Sequence, residues 1–176
     1  GSQTINKKDI KLVTKVLGSE FLTQGPEVTN FENKLKKKFG SKYCSVVSSG
    51  TAALHLAVMS LSLGKNSKII TTPMTFVATS NSIIMNNLIP EFVDIDANSY
   101  TIDLNKLEQK LKKDKKIKAA IGIDYAGNVC DWESLRFLAN KYRIKLINDN
   151  CHAIGTRYKG KINYASHYAD IVTQSY

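Results

Sequence analysis

Four short segments carry residues whose types and spacing suit an anionic, planar ligand. Ser48-Ser49-Gly50-Thr51-Ala52-Ala53 sets small side chains and hydroxyls just ahead of an apolar run. Small residues let a backbone approach a ligand, and the free N–H groups at a helix start attract an anion. The same residues would equally serve as a plain N-cap, with Ser49 or Thr51 satisfying those N–H groups and no ligand present. The segment fits neither GxGxxG nor GxxxxGKS/T, which disfavours a dinucleotide or P-loop site. Thr71-Thr72-Pro73-Met74-Thr75-Phe76 offers an aromatic that could lie flat against a planar group or fill the core. Asn148-Asp149-Asn150-Cys151-His152 holds a carboxylate and an imidazole three residues apart. That Asp could pair with a cationic ring nitrogen, or cap a local turn. Ser175 and Tyr176 add two further hydroxyls.

The elements that must position these residues can be read from hydrophobic periodicity. Ile10, Val13 and Leu17 predict a short helix stopped by Gly18, and Phe31, Leu35 and Phe39 a second closed by Gly40. Tyr43 to Ser48 reads as an apolar strand, and Gly50-Thr51 opens a helix carrying Leu54, Val58 and Leu61 and closed by Gly64. Strands are predicted over 68–71, 91–95, 117–123, 144–148 and 169–173, with helices over 76–86, 104–111 and 132–142 between them. Such alternation predicts an α/β fold whose mostly parallel sheet is covered by helices. Sheets of this kind bind ligands at the carboxyl ends of their strands. All four segments fall at such ends, which is how a single cofactor is gathered.

Bulk properties narrow the classes. With 176 residues the chain has room for one domain with a real core, and 43% hydrophobic and 23% charged residues are ordinary for a globular protein. Gly1-Ser2 reads as an expression scar. No apolar run approaches the ~20 residues of a membrane span, and no signal pattern opens the chain, so a cytoplasmic location is expected. The net charge of +10 lies largely in Lys34 to Lys38 and Lys110 to Lys118, whose sparse apolar spacing is that of solvated helix faces. No nucleic-acid motif stands beside them, and neither nucleic acid nor membrane is expected as a partner. Cys44, Cys130 and Cys151 show no CxxC spacing, and His55, His152 and His167 are scattered, which disfavours a metal site. Cys44 is expected as a buried free thiol.

The segments taken in order resemble the DegT/StrS nucleotide-sugar aminotransferases, within the fold-type I pyridoxal-phosphate enzymes. The likeness runs from Leu22-Thr23-Gln24-Gly25-Pro26 through Ser49 to Leu54 and Thr72 to Thr79. It continues through Asp124-Tyr125-Ala126-Gly127 to Asp149-Asn150-Cys151-His152-Ala153-Ile154-Gly155. Within the family, Thr71 to Thr79 and Asp124 to Gly127 are most similar to enzymes that aminate C4 of a UDP-linked 4-keto-6-deoxy-N-acetylhexosamine towards pseudaminic acid. The resemblance implies a pyridoxal 5'-phosphate cofactor, an amino-acid donor (typically glutamate), a UDP-sugar acceptor and a homodimer. It makes residues 1–176 the N-terminal segment and most of the large, cofactor-binding domain, ending before the small domain. It implies that Thr51 and Ala52 hold the cofactor phosphate and that Phe76 stacks on the pyridine ring. Asp149 would partner the ring nitrogen, His152 flank the ring, and Ser175 reach phosphate or substrate. Leu22, Thr23 and Gly50 match positions lining the sugar-nucleotide site.

The cofactor acts as an electron sink while its ring nitrogen stays protonated, which a buried carboxylate ensures. A lysine bonds the cofactor and shuttles protons, and the family pattern puts it a few residues beyond Tyr176. No catalytic residue is therefore expected within this chain, and the piece alone is expected to be inactive. Two positions depart from the pattern: Asn148 stands where the family has an acidic residue, and Asn150 where it has a small one. A dehydratase of the same fold with histidine in place of the lysine, and a non-catalytic homologue, remain alternatives.

Overall fold

The computed structural model describes residues 4–176; Gly1-Ser2 lies outside them. Short runs dominated by Ile, Leu and Ala form five strands: β1 (Lys68–Thr71), β2 (Ile89–Phe92), β3 (Ile117–Ile123), β4 (Lys145–Asp149) and β5 (Ile171–Thr173). They pair in the order β2-β1-β3-β4-β5, every pair parallel. The chain moves from β1 outward to β2, then returns past β1 to β3. The order therefore reverses beside β1, and a crevice opens at the carboxyl ends there.

Among the described residues seven α-helices accompany the sheet: α1 (Lys7–Leu17), α2 (Pro26–Phe39), α3 (Gly50–Ser60), α4 (Ala78–Met85), α5 (Leu104–Lys113), α6 (Trp132–Tyr142) and α7 (Tyr164–Tyr168). Side-chain acceptors for orphan N–H groups set the starts of four of them: Asn6 for α1, Ser49 for α3, Asp103 for α5 and Asp131 for α6. Helix α5 buries Leu107 and Leu111 and turns Lys110, Lys112 and Lys113 outward in its last turn, where cations oppose the helix dipole favourably.

Side chains alternate across the strands and divide the core in two. Ile70, Ala120 and Leu146 pack with Leu107, Trp132 and Leu135 under α5 and α6. Ile69, Ile121 and Ile147 face α3 and α4, meeting Ala57, Val58 and Ile83. Each fully buried aliphatic side chain contributes ~1.5–3 kcal/mol. The alternation continues to the end of β4, so Asn148 lies on the α6 side and Asp149 on the α4 side.

Several expectations need correcting. Residues 43–48 form no strand and are mostly exposed, and Cys44 is half-buried rather than buried. Their apolar character suits a strand, but a strand needs a neighbour for its N–H and C=O groups. Val46 N instead donates to Glu32 Oε1 at 2.9 Å. Helix α3 ends at Ser60, capped by Leu61, before reaching Gly64. Strand β2 begins two residues early and stops at Phe92, while β4 runs one residue later, to Asp149. Helix α7 and a 3-10 turn at Tyr125–Gly127 were not anticipated. Among the described residues no helix is long and apolar enough to cross a membrane, and no group of three His, Cys, Asp or Glu side chains could hold a metal ion.

Candidate active site

A cavity of about 350 Å³ opens across the carboxyl ends of β1, β3, β4 and β5. From the α3 side it is lined by Ser49, Gly50, Thr51 and Leu54, and from the β1 exit by Thr75 and Phe76. Tyr125 follows β3, Asp149, Cys151 and His152 follow or end β4, and Ser175 follows β5. Six of the nine residues singled out by sequence thus meet: Gly50, Thr51, Phe76, Asp149, His152 and Ser175. Ala52 is the third residue of α3, and its N–H is already taken by Ser49 Oγ at 3.1 Å. Leu22 and Thr23 lie on an exposed loop outside the cavity.

The competing local readings can now be separated. Ser49 is indeed the N-cap of α3, but the N–H groups of Gly50 and Thr51 find no acceptor among the described residues. That leaves an anion-seeking end facing the cavity. Phe76 is 68% exposed, so it is no core aromatic. Gly50 sits at a crowded meeting point. A Cβ there would stand 3.1 Å from Ser175 Cβ and 3.3 Å from Cys151 Sγ, so this glycine lets the α3 start, the β4 exit and the β5 exit converge.

Asp149 is 6% exposed. Its Oδ2 accepts from Thr79 Oγ1 at 3.0 Å and its Oδ1 from Cys151 N at 3.3 Å. The second bond is the turn cap foreseen as the alternative, yet a carboxylate has about four acceptor sites and two remain unused. Burial, and then the neighbouring Asp149 carboxylate, push the Cys151 thiol up to about 12. The Tyr125 ring meets the His152 ring edge-on, with centroids 6.0 Å apart.

Sequence reasoning missed the supports of this site. Thr79, 70 positions before Asp149, belongs to α4, whose hydroxyl reaches the carboxylate through the folded sheet. Asp124, at the end of β3, is fully buried. Its Oδ1 accepts from Cys130 N (2.9 Å) and Trp132 Nε1 (3.0 Å). Its Oδ2 accepts from Asn148 Nδ2 (3.0 Å), Asn150 Nδ2 (3.0 Å) and Tyr164 OH (2.8 Å). Burial and the adjacent Asp124 carboxylate raise the Tyr164 hydroxyl well above the usual phenol range. The Asp-Tyr-Ala-Gly motif was the one signal that could have singled Asp124 out.

A second cavity, of about 310 Å³, lies between β2 and α5. Its three carboxylates, Glu91, Asp94 and Asp114, are each paired with a lysine, so none of them is left open as Asp149 is.

The arrangement can therefore hold an anionic group at α3, a flat ring beside Phe76, and a cationic N–H at Asp149. No lysine lines the cavity among the described residues. Comparison with known proteins agrees with this chemistry. A family model described as the DegT/DnrJ/EryC1/StrS aminotransferase family matches residues 3–176. The chain is 42% identical over 160 residues to a Campylobacter jejuni protein named UDP-4-amino-4,6-dideoxy-N-acetyl-beta-L-altrosamine transaminase, covering 90% of this chain and 42% of that one. The solved structure of Helicobacter pylori PseC, an aminotransferase involved in the biosynthesis of pseudoaminic acid, matches with TM-score 0.84 and 35% identity over 90% of this chain and 42% of that one. Escherichia coli GDP-4-keto-6-deoxy-D-mannose-3-dehydratase, with bound hydrated PLP, matches with TM-score 0.85 and 30% identity over 91% and 42%. The chain spans about two fifths of the length of these relatives.

Proposed function

The chain belongs to the DegT/DnrJ/EryC1/StrS aminotransferase family, and we propose that it is the cofactor-binding portion of a pyridoxal-phosphate-dependent nucleotide-sugar aminotransferase. The reaction of the complete protein is transfer of an amino group from glutamate to the C4 keto group of a UDP-linked 4-keto-6-deoxy-N-acetylhexosamine. The observation that carries this reading is the buried, half-satisfied Asp149 carboxylate in a cavity that also receives the free N–H groups of α3. The names of the Campylobacter and Helicobacter relatives support the choice of sugar.

The residues present fit that cofactor, which supplies an electron sink when bound. The free N–H groups of Gly50 and Thr51 at the α3 start, with Ser175, would hold its phosphate; Ala52, whose N–H is spent on Ser49, would support that turn from behind. Phe76 keeps one ring face from water, and His152 flanks the ring. Asp149 holds a proton at the ring nitrogen, because a buried anion favours the charged form of an adjacent base. Leu22, Thr23 and Gly50 contribute to the sugar-nucleotide side. The lysine comes from sequence beyond Tyr176, and a homodimer working in the cytoplasm is the form in which the site operates.

The test is to supply the complete, cofactor-loaded protein with the keto sugar and glutamate. Formation of 2-oxoglutarate in equal amount with a 4-amino sugar, assigned by NMR, is the expected result. A folded, loaded protein that makes no amine sinks the assignment. The match to the Escherichia coli dehydratase keeps one second reading: a sugar lacking its C3 hydroxyl, formed without amine transfer, identifies it.

A further inference from the structure

We propose that Asp124 is a positioning residue for Asp149: by collecting the side-chain amides of Asn148 and Asn150 on one side of the sheet, it fixes the carboxylate between them on the other. Its bearing on cofactor binding rests on the role given to Asp149 above. The geometric part stands without it.

Successive side chains of a strand point to opposite faces. Asn148 and Asn150 flank Asp149, and both donate from Nδ2 to the same oxygen, Asp124 Oδ2, at 3.0 Å. Asp149 is thereby left to the α4 side, where Thr79 receives it. The backbone repeats the link, since Asp124 N donates to Asp149 O at 3.2 Å. Asp124 is itself immobilised by Cys130 N, Trp132 Nε1 and Tyr164 OH.

Asn150 extends the hold to β5. Its Oδ1 accepts from Gln174 Nε2 at 3.1 Å and its N donates to Thr173 O at 2.9 Å, next to Ser175. Asn148 shows that the arrangement constrains its members: with Nδ2 turned to Asp124, its buried Oδ1 has no partner among the described residues. Five donors exceed the acceptor sites of one carboxylate, so Asp124 has nothing left for a ligand. It can act on the cavity only through its neighbours.

The experiment uses the complete protein and two variants, Asp124→Asn and Asn150→Ala. In cofactor-free crystal structures, Asp124→Asn should release the Asp149 carboxylate from Thr79 or split it between conformers, with the sheet unchanged. A carboxylate that stays in place overturns the proposal. In solution, Asp124→Asn should weaken pyridoxal phosphate binding by about tenfold, yet add nothing to the loss caused by Asp149→Asn, because the two act through one group. Losses that multiply overturn it, since a merely structural defect would add to any other. Should Asp124→Asn not fold, Asn150→Ala carries both comparisons with an expected loss of about fivefold. A wild-type protein that binds no pyridoxal phosphate ends the functional reading above, and the cofactor-free structures still decide this one.

Discussion

Two buried carboxylates end adjacent parallel strands, Asp124 after β3 and Asp149 at the end of β4, and they have opposite surroundings. Asp124 lies on the α6 and α7 side, fully buried, with five donors around it. Asp149 lies on the α4 side with two donors and an open cavity before it. Burying a charge costs stability unless hydrogen bonds replace its water. Around Asp124 that replacement is complete, and the carboxylate binds loops together. Around Asp149 it is partial, which leaves acceptor sites that a cationic ligand could complete. The number of donors, more than the depth of burial, separates the residue that builds the site from the one that uses it.

The largest effect should follow from breaking the unsaturated side. Asp149→Asn is expected to lower turnover by about 100-fold or more, on the order of 2.7 kcal/mol in the barrier. Its melting temperature should stay near that of the wild type, because only two hydrogen bonds are involved. Near-normal steady-state rates would erase the contrast between the two carboxylates. On the saturated side the signs should be reversed. At Gly122 a Cβ would approach Trp132 Cη2 to 2.9 Å, so Gly122→Ala should destabilise by about 1–3 kcal/mol in denaturant unfolding. Turnover of the fraction still folded should hold within about twofold. A variant that keeps its stability and loses its rate would show that the α6 side also does chemistry. Smaller again is Thr79→Val, which keeps shape and removes one donor to Asp149. It should weaken cofactor affinity by about fivefold, or ~1 kcal/mol, measured by titration.

Much of this frame was legible in the sequence. Strands β1 and β3 and helix α6 fell where the apolar runs over 68–71 and 117–123 and the helical pattern over 132–142 put them, because local pattern and tertiary role agree there. Residues 43–48 misled because composition records willingness to pair while a strand also needs a neighbour. Helix α7 is five residues long, too short for a period of 3.6 to show. Phe76, Asp149, His152 and Ser175 were legible because they stand at strand exits, and Gly50 and Thr51 because small residues open a helix there, although no strand precedes it. Their supports were not, since Asp124 draws its donors from 6 to 40 positions away. Nothing in local spacing records such distances.

The smallest effect belongs to Cys151, and it reads the Asp149 environment through pH. Burial and then the Asp149 carboxylate raise its thiol from 9.0 to about 12. Between those values the folded state keeps a proton that the unfolded state releases. Stability from this group is therefore intact below pH 9 and declines as pH rises towards 12. Cys151→Ser should flatten that decline and leave stability at pH 7 nearly unchanged. Alkylation gives the sharper reading, because only the thiolate reacts. Labelling of Cys151 by iodoacetamide should be slow at pH 8 and still climbing at pH 10. Asp149→Asn removes one of the two causes, so labelling at pH 8 should quicken several-fold. Unchanged labelling in that variant would mean that burial alone holds the proton. The Asp149 charge would then be felt in the cavity less than its two-donor environment implies.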